Sequence, residues 1–331
     1  MDYMILIYIL ICFILMFLSA KTSYRFNLVD KPNKRKIHTK PTAYTGGIVI
    51  SIILLISIKL FNIFDDNINL ILSTAFLVSV LGLVDDRYNL NSGSKLSLQI
   101  IPIFYLVLFE SLTLSQLGNY DYFILELGAF TIPFTLLSVL FLTNSFNYFD
   151  GMDGTLVITS ISVLGILYFL IPNKNLHFFL ITFLIPLVIF LFFNFSIFKI
   201  PKLFLGDSGS LFLGFIISFL LIYLANRNFT HPILLAWSVV IFVYEFLSIN
   251  IIRIKDKKDL FKAGKDHFHH LLFQKNNSIF KTNLIIALTN FIFFCIGYIS
   301  YLFFGPLTSL VLFVACFIIF LIVRINKFKK I

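Results

Sequence analysis

The stretch N-S-F-N-Y-F-D-G-M-D-G-T occupies residues 144–155 and is flanked on both sides by long apolar runs. Amides and carboxylates recur in it every three residues, at Asn144, Asn147, Asp150 and Asp153. Polar groups beside a membrane span are costly unless they have partners, so they are candidates for a functional site. Three residues turn a helix by about 300°, so these side chains would not form one stripe, and the two glycines favour a helix that ends in a turn. The stretch predicts a pocket between two helices, with a polar turn as the alternative.

Composition identifies the class of protein. Of the 331 residues, 59% are hydrophobic and 13% are charged, and the mean hydropathy is +0.96, whereas soluble domains average roughly 25% charged residues. We therefore predict an all-α, polytopic membrane protein that forms a single helix bundle over residues 1–331, with about eleven transmembrane helices. The predicted spans lie near 3–20, 46–63, 69–84, 96–113, 129–145, 155–172, 176–192, 209–225, 231–252, 282–303 and 306–323.

The basic residues indicate how the bundle is oriented. The net charge is +10, and 23 of the 26 Lys and Arg residues fall in alternate loops on one side of the predicted bundle. The positive-inside rule makes these loops cytoplasmic, so the amino terminus lies outside and the carboxyl terminus inside the plasma (inner) membrane. Because the basic excess follows the topology, we expect no nucleic-acid partner, and we expect affinity for membrane lipid headgroups and phosphate-bearing substrates.

The first predicted inner loop, near 21–45, is dense in charged groups. A purely topological loop accounts for its basic residues, Lys36 among them. It does not account for Asp30, for His38 or for the glycine pair at 46–47, which would let another backbone approach closely. On this stretch alone, a topological and a functional interpretation both stand.

A pair of adjacent carboxylates, Asp85 and Asp86, ends the third predicted span. A divalent cation would relieve their mutual repulsion, and Mg²⁺ is typically held by one or two protein carboxylates together with substrate phosphates and water. Neutralisation by Arg87 and Lys95 at a helix end is the alternative. The same dipeptide at residues 65–66 lies on the predicted outer side without polar companions, and we interpret it as solvated.

Asp207 lies among small residues in G-D-S-G-S, residues 206–210, where the eighth predicted span begins. Backbone N–H groups exposed at such a helix start form a ready anion site, and an Asp among them can hold a metal that bridges to the anion. The plainer interpretation is a helix N-cap.

The largest predicted inner loop, near 253–281, contains His267, His269 and His270. The first and last of these are one helical turn apart and could face one ligand. A zinc site would lack its remaining ligands, so contact with phosphate or nucleotide suits the basic surroundings better. Glu245, within the ninth predicted span, is left unassigned.

These polar clusters all fall in the predicted inner loops, and the outer loops carry none. A transport path needs polar groups near the bilayer midplane, so the asymmetry favours an active site that faces the cytoplasm. A non-enzymatic transporter or lipid-carrier exporter is the second interpretation. The candidate active-site loops lie at about 21–45, 85–95, 146–154, 193–208 and 253–281.

Taken together, the motifs resemble those of the polyprenyl-phosphate N-acetylhexosamine-1-phosphate transferases, glycosyltransferase family 4. Any one motif is weakly specific, but five in the family's order over residues 30–272 are highly specific. They are D-x-P-x-x-R-K-x-H…GG at 30–47, D-D with Lys95, N-x-x-N-x-x-D-G-x-D-G at 144–154, G-D-x-G-S at 206–210 and H-x-H-H at 267–270.

The resemblance implies that undecaprenyl (polyprenyl) phosphate attacks the β-phosphorus of a UDP-N-acetylhexosamine and releases UMP, with Mg²⁺ required and Mn²⁺ as a second candidate. By the family's pattern, Asn147 and Asp207 would lie at the metal. Asp85 or Asp86 would deprotonate or orient the lipid phosphate, or help hold the metal. A homodimer is one candidate assembly. The implied substrate-binding residues are Lys36, His38, Lys95, Asn144, Asp150, Asp153, His267, His269 and His270.

The chain departs from the family pattern around the histidines. The peptidoglycan enzyme of the family usually has a third consecutive His followed by an acidic residue, whereas this chain reads H-F-H-H-L-L. Gly264 stands where Asp is frequent, and Leu271 where Arg is common. The departures indicate an enzyme that starts O-antigen, capsule or teichoic-acid assembly. They leave UDP-GlcNAc as the default donor and UDP-FucNAc or UDP-QuiNAc as the alternative.

Overall fold

A computed structural model gives the structure of the protein and describes residues 2–32, 40–62, 64–258, 264 and 266–328. Helices dominate this part of the chain, and its strands form only two short antiparallel pairs, so the predicted all-α class is confirmed. The helices are α1 (Asp2–Arg25), α2 (Gly46–Phe61), α3 (Asp66–Tyr88), α4 (Ser92–Phe104), α5 (Thr131–Phe149), α6 (Thr155–Leu170), α7 (Lys174–Asn194), α8 (Gly206–Asn226), α9 (Pro232–Ser238), α10 (Val240–Lys255), α11 (Phe268–Asn276) and α12 (Ile279–Phe328).

The chain is a multi-pass membrane protein. Among the described helices, seven are long and apolar enough to cross a membrane, or eight if the bent pair α9 and α10 is one broken span. The shorter apolar helices α2 and α6 also occupy predicted spans. Helix α12 is 50 residues long, but its backbone is non-helical at Gly305, between the last two predicted spans. Every predicted span therefore falls largely on helical residues.

The break between α9 and α10 bends the chain by 73°. Backbone groups released by such a break need new partners, because the bilayer core offers no water to bind them. Asn290 of α12 supplies both kinds of partner. Its Oδ1 accepts a hydrogen bond from the Ile241 N–H at 3.2 Å, and its Nδ2 donates to the Ser238 carbonyl at 3.0 Å. The bend thereby directs α10 towards the end of the bundle where the polar loops gather.

The amino-terminal end of α8 lies where three helices meet at glycines. A Cβ on Gly47 would lie 1.9 Å from the backbone nitrogen of Gly209, and one on Gly82 would lie 2.5 Å from the carbonyl carbon of Asp207. The Gly47 N–H also donates to the Leu205 carbonyl at 2.8 Å. The expected close backbone approach at the glycine pair 46–47 is confirmed, and it places the start of α8 in the middle of the bundle.

Two strand pairs complete the fold. In the first, β1 (Val29–Asp30) pairs with β2 (Thr42–Ala43), and Ala43 also bridges to Leu203, so the first inner loop lies against the segment that precedes α8. In the second, β3 (Gln116–Asn119) and β4 (Ile124–Glu126) form a hairpin at the opposite end. Strands of two to four residues are too short to give an alternating pattern, so the sequence did not predict them.

The interpretation of residues 65–66 as solvated holds for Asp66, which is exposed, but it was wrong for Asp65, which has polar partners. Its carboxylate accepts hydrogen bonds from the Ile68 N–H at 2.9 Å and from the Tyr223 hydroxyl at 2.6 Å, and it lies 3.7 Å from the Arg227 guanidinium. It therefore caps α3 and ties it to the end of α8.

We expect Gly47→Ala to destabilise the protein, because the added methyl group has no room beside the Gly209 backbone. Overpacking of this kind costs about 1–3 kcal/mol. Gly165→Ala is the matched control, since a Cβ there meets nothing within 4 Å in the described structure. Thermal unfolding in detergent should show a lower midpoint for Gly47→Ala and an unchanged or slightly higher one for Gly165→Ala. Equal midpoints would contradict the close packing at α8.

Candidate functional site

A cleft of about 1660 Å³ opens where the predicted inner loops meet. Its walls come mainly from α3, α4, α5, α8, α10 and α11, together with the turn at 150–154. Eleven of the thirteen predicted site residues line it, and the other two, Lys36 and His38, lie outside the described residues. The eleven are Asp85, Asp86, Lys95, Asn144, Asn147, Asp150, Asp153, Asp207, His267, His269 and His270.

Asp207 binds side chains from two other helices of the cleft. Its Oδ2 lies 2.6 Å from the Lys95 ammonium nitrogen, and its Oδ1 accepts a hydrogen bond from Asn147 Nδ2 at 2.7 Å. The same Asn147 amide lies 2.8 Å from the Ser210 hydroxyl. Three helices therefore meet at one carboxylate, because α4 brings the lysine, α5 the asparagine and α8 the aspartate.

Lys95 joins the two acidic motifs. Besides Asp207, its ammonium group lies 2.7 Å from Oδ2 of Asp85, and the other oxygen of Asp85 accepts the Leu90 N–H at 2.9 Å. Lys95 thus provides the neutralisation that the sequence allowed as an alternative for the acidic pair. Arg87 does not take part in it, since its guanidinium donates to the Phe26 carbonyl at 3.4 Å.

The Asp86 side chain, from α3, binds the backbone at the start of α8. Its carboxylate accepts hydrogen bonds from the backbone N–H groups of Asp207 at 3.0 Å and Ser208 at 3.3 Å. Gly206, with φ of +74°, gives it space, because a Cβ there would lie 2.6 Å from Asp86 Oδ2. The expectation that these N–H groups form an open anion site was wrong, since a carboxylate of the same chain already fills it. Asp86 therefore holds the position of Asp207.

The 150–154 turn forms another wall of the cleft. Helix α5 ends at Phe149, and Gly154 has a φ of +73°, so the predicted end of the helix and turn of the backbone are confirmed. The Asp153 carboxylate pairs with Lys202 at 2.5 Å. Burial raises the pKa of the Asp150 carboxyl to about 8, helped by the negative charges of Asp207 and Asp153. The Asp150 carboxyl is therefore largely protonated at neutral pH and offers a ligand a hydrogen-bond donor.

Asn144 faces a different neighbour from Asn147. Its Nδ2 donates to Gln99 Oε1 at 3.0 Å and to the Leu140 carbonyl at 2.8 Å. The polar residues spaced by three therefore diverge round the end of α5, as their helical angles predict.

The three histidines lie together beside the turn. His269 is fully buried, its ring centroid is 4.2 Å from that of His270, and its Nε2 lies 2.3 Å from where a Cβ on Gly151 would be. Burial, and then the charges of His270 and His267, hold the pKa of the His269 imidazole well below its usual value. Neither of its ring nitrogens has a hydrogen-bond partner within the described chain. The His269 ring is therefore a neutral group with unused hydrogen-bonding capacity at the cleft wall.

The cleft also contains residues that the sequence analysis did not select. Lys202 pairs with Asp153, and Arg253 pairs with Asp266 through a contact of 2.9 Å. Glu245, which lies outside the cleft lining, was left unassigned by the sequence analysis. A buried acid in an apolar helix needs a basic partner. This requirement could have shown, from the sequence alone, that Glu245 is paired with a basic residue elsewhere in the chain. A search for partners among the later basic residues would have included the one that the structure shows, Arg324.

The ligands available for a metal are hard oxygens. No group of three His, Cys, Asp or Glu side chains in the described ranges forms a complete metal site. The Asp207 carboxylate nevertheless lies beside the Asn147 amide, whose nitrogen faces it, and Asp207 shares the Lys95 ammonium group with Asp85. This donor set fits a hard cation that shares its coordination with substrate phosphates and water, and it does not fit zinc.

Comparison with known protein sequences shows which family the chain resembles. The sequence profile described as Glycosyl transferase family 4 matches residues 68–225. Over 315 residues, the chain is 26% identical to the undecaprenyl-phosphate alpha-N-acetylglucosaminyl 1-phosphate transferase of Escherichia coli O157:H7, covering 92% of this chain and 86% of that protein. The enzyme of the same description from Yersinia pestis is 26% identical over 292 residues, 86% of this chain and 80% of that protein.

A relative from Bacillus subtilis (strain 168) has a higher identity. The chain is 31% identical, over 291 residues, to the probable undecaprenyl-phosphate N-acetylglucosaminyl 1-phosphate transferase of Bacillus subtilis (strain 168). The alignment covers 82% of this chain and 77% of that protein. The matched residues include Asp85, Asp86, the stretch 144–154 and Asp207, which the structure brings together in one cleft. This chain therefore belongs to glycosyl transferase family 4.

Proposed function

We propose that this protein transfers N-acetylglucosamine 1-phosphate from UDP-N-acetylglucosamine to undecaprenyl phosphate and releases UMP. The observation that carries the proposal is the meeting of Asp85, Lys95, Asn147 and Asp207 in one cleft of a membrane protein. The relatives are named for the same acceptor lipid and the same sugar, which supports this donor over the FucNAc and QuiNAc alternatives.

The chemistry needs positioning and charge neutralisation more than covalent help. An oxygen of the acceptor phosphate attacks the β-phosphorus of the donor, the bond from that phosphorus to the bridging oxygen breaks, and UMP leaves with that oxygen. A phosphate monoester is already largely ionised at neutral pH, so the reaction does not require a strong base. Lys95, held by Asp85 and Asp207, is a protein cation that would face the phosphates.

The proposal includes Mg²⁺, with Mn²⁺ as the second candidate ion. Asp207 would hold it through its carboxylate, and Asn147 would hold it once its amide turns so that the oxygen replaces the nitrogen that faces Asp207, because oxygens are the hard ligands that this ion prefers. Bound there, the ion would neutralise charge on the donor diphosphate. Asp86 fixes the start of α8 and so holds the Asp207 carboxylate in place. Lys95 occupies one oxygen of Asp207 in the described structure, so lysine and metal would compete for this carboxylate.

The two walls of the cleft suit the two substrates. The polar wall, with the 150–154 turn and the histidines, suits the nucleotide sugar. The apolar wall is formed by side chains of α4, α5 and α10, and it suits the polyprenyl chain. One of its residues, Leu137, is 67% exposed, so this wall continues into the apolar surface of the bundle. The apolar residues are Leu96, Leu137, Leu140, Phe141 and Phe246.

We propose that the cleft faces the cytoplasm from the plasma (inner) membrane. The predicted inner loops contain 23 of the 26 basic residues, and they form the end of the bundle where the cleft opens. The gathering of the acidic groups at this end disfavours the alternative of a transporter, whose polar groups would line a path through the bilayer midplane.

The reaction is tested by UMP release from purified protein with undecaprenyl phosphate and Mg²⁺. UDP-GlcNAc, UDP-GalNAc, UDP-FucNAc and UDP-QuiNAc should be supplied separately, and we expect release with UDP-GlcNAc. Asp207→Ala should lower the rate by about 10²–10³-fold, the size of effect seen when a charge-stabilising group is removed.

Asp66→Asn is the matched control, because this carboxylate lies in the first turn of α3, away from the cleft. Its rate should stay within about twofold of the wild-type rate. Folded protein that releases no UMP with any donor would overturn the proposal. Release with another donor alone would keep the reaction and replace the sugar.

The role of Asp85 is tested through the Mg²⁺ dependence of the rate. In Asp85→Asn, Lys95 loses its second carboxylate and binds Asp207 more tightly, so it should compete better with the metal. We expect the Mg²⁺ concentration for half-maximal rate to rise about tenfold, which corresponds to a loss of about 1.4 kcal/mol in metal affinity. The maximal rate should also be lower. A lower maximal rate at an unchanged Mg²⁺ requirement would instead assign Asp85 as a base.

A further inference from the structure

An ion pair is buried behind the histidines, outside the lining of the cleft. Glu245 of α10 and Arg324 near the end of α12 have side chains that are 0% and 3% exposed. The guanidinium donates to both carboxylate oxygens of Glu245, one of them at 3.0 Å, and to the Ser248 hydroxyl at 2.6 Å. Such a pair needs further hydrogen bonds to offset the loss of hydration, and these bonds show what the pair holds.

The further bonds reach the main chain on either side of His267. Arg324 Nη2 donates to the Asp266 carbonyl at 2.9 Å, and Glu245 Oε1 accepts the Phe268 N–H at 3.0 Å. The same carboxylate oxygen lies 3.5 Å from His267 Nδ1. The ion pair therefore fixes the backbone before and after the first histidine.

These contacts determine where α11 begins. His267 is the N-cap residue of this helix, but its own side chain makes no capping hydrogen bond. The carboxylate of Glu245, from another helix, takes that role at the positive end of the helix dipole. A second clamp acts on the same segment, since Arg253 binds the Asp266 carboxylate through two nitrogens at 2.9 and 3.0 Å.

We propose that the Glu245–Arg324 pair positions the histidine segment, residues 266–270, for binding of the UDP-sugar. The pair sets the first turn of α11, and this turn carries His269 and His270 to the cleft wall at Gly151. Glu245 and Arg324 are positioning residues, because neither lines the cleft. The inference rests on the proposed function, and it makes the last turns of α12 a part of donor recognition.

The test separates positioning from general stability. The double substitution Glu245→Leu/Arg324→Met removes both charges together, and replacing a buried ion pair by apolar residues of similar size is often neutral for folding. We expect the KM for UDP-GlcNAc to rise by about ten- to hundredfold, because small displacements of binding groups have effects of this size. The Kd for UMP should rise in parallel, while the KM for undecaprenyl phosphate stays unchanged.

Two further variants complete the design. Arg324→Lys keeps the charge but cannot reach Glu245, Ser248 and the Asp266 carbonyl together, so it should fold and show an intermediate rise in the KM for UDP-GlcNAc. It provides the decisive measurement if the double variant fails to fold. Arg227→Met is the matched control, since it removes an arginine paired with Asp65 at the far end of the bundle. Its KM values should equal those of the wild type.

The outcomes separate the two proposals. Wild-type protein without UMP release would overturn the proposed function. Active wild-type protein, together with a folded double variant or Arg324→Lys that keeps the wild-type KM for UDP-GlcNAc and Kd for UMP, would overturn the positioning role alone.

Discussion

The ammonium group of Lys95, shared between Asp85 and Asp207, is the interaction on which the site depends. Two carboxylates from two apolar helices approach within reach of one cation, at 2.7 and 2.6 Å. Without that cation, the closeness of α3 and α8 would bring uncompensated negative charges together in a poorly hydrated region, which is costly. The lysine therefore makes the acidic cluster compatible with folding. It also leaves the cluster with an excess of negative charge, a setting that suits a metal and phosphate groups that bind together.

The central position of α8 is what allows the loops to meet. Small residues at its amino-terminal end let α2 and α3 approach at backbone distance, and a carboxylate from α3 caps its first turn. Asp86 and Asp207, which are 121 residues apart in the chain, thus become one unit. The motif around Asp207 has two roles, since its glycines and serines permit the packing and its carboxylate contributes the chemistry.

A bilayer imposes the second constraint, because every buried polar group needs an internal partner. The protein meets it with long-range pairs, such as Asn290 at the break between α9 and α10 and Arg324 at Glu245. Both partners come from α12, which otherwise resembles a plain membrane-facing helix. Its polar residues satisfy groups of the preceding helices, and through Glu245 they reach the segment that carries the histidines. The last helix is in this way connected to the active site without lining it.

The sequence by itself determined the all-α membrane class, the positions of the helices and the eleven described residues that line the cleft, because hydropathy and polar motifs are local properties of the chain. It did not determine the hydrogen-bonding partners. The start of α8 was left as an anion site or a plain N-cap, and Glu245 was left unassigned, since the residues that complete them, Asp86 and Arg324, are distant in sequence. Those pairings follow from which helices pack together and how closely. Packing is a property of the tertiary structure, so only the tertiary structure decided which carboxylate caps α8 and which arginine holds the histidine segment.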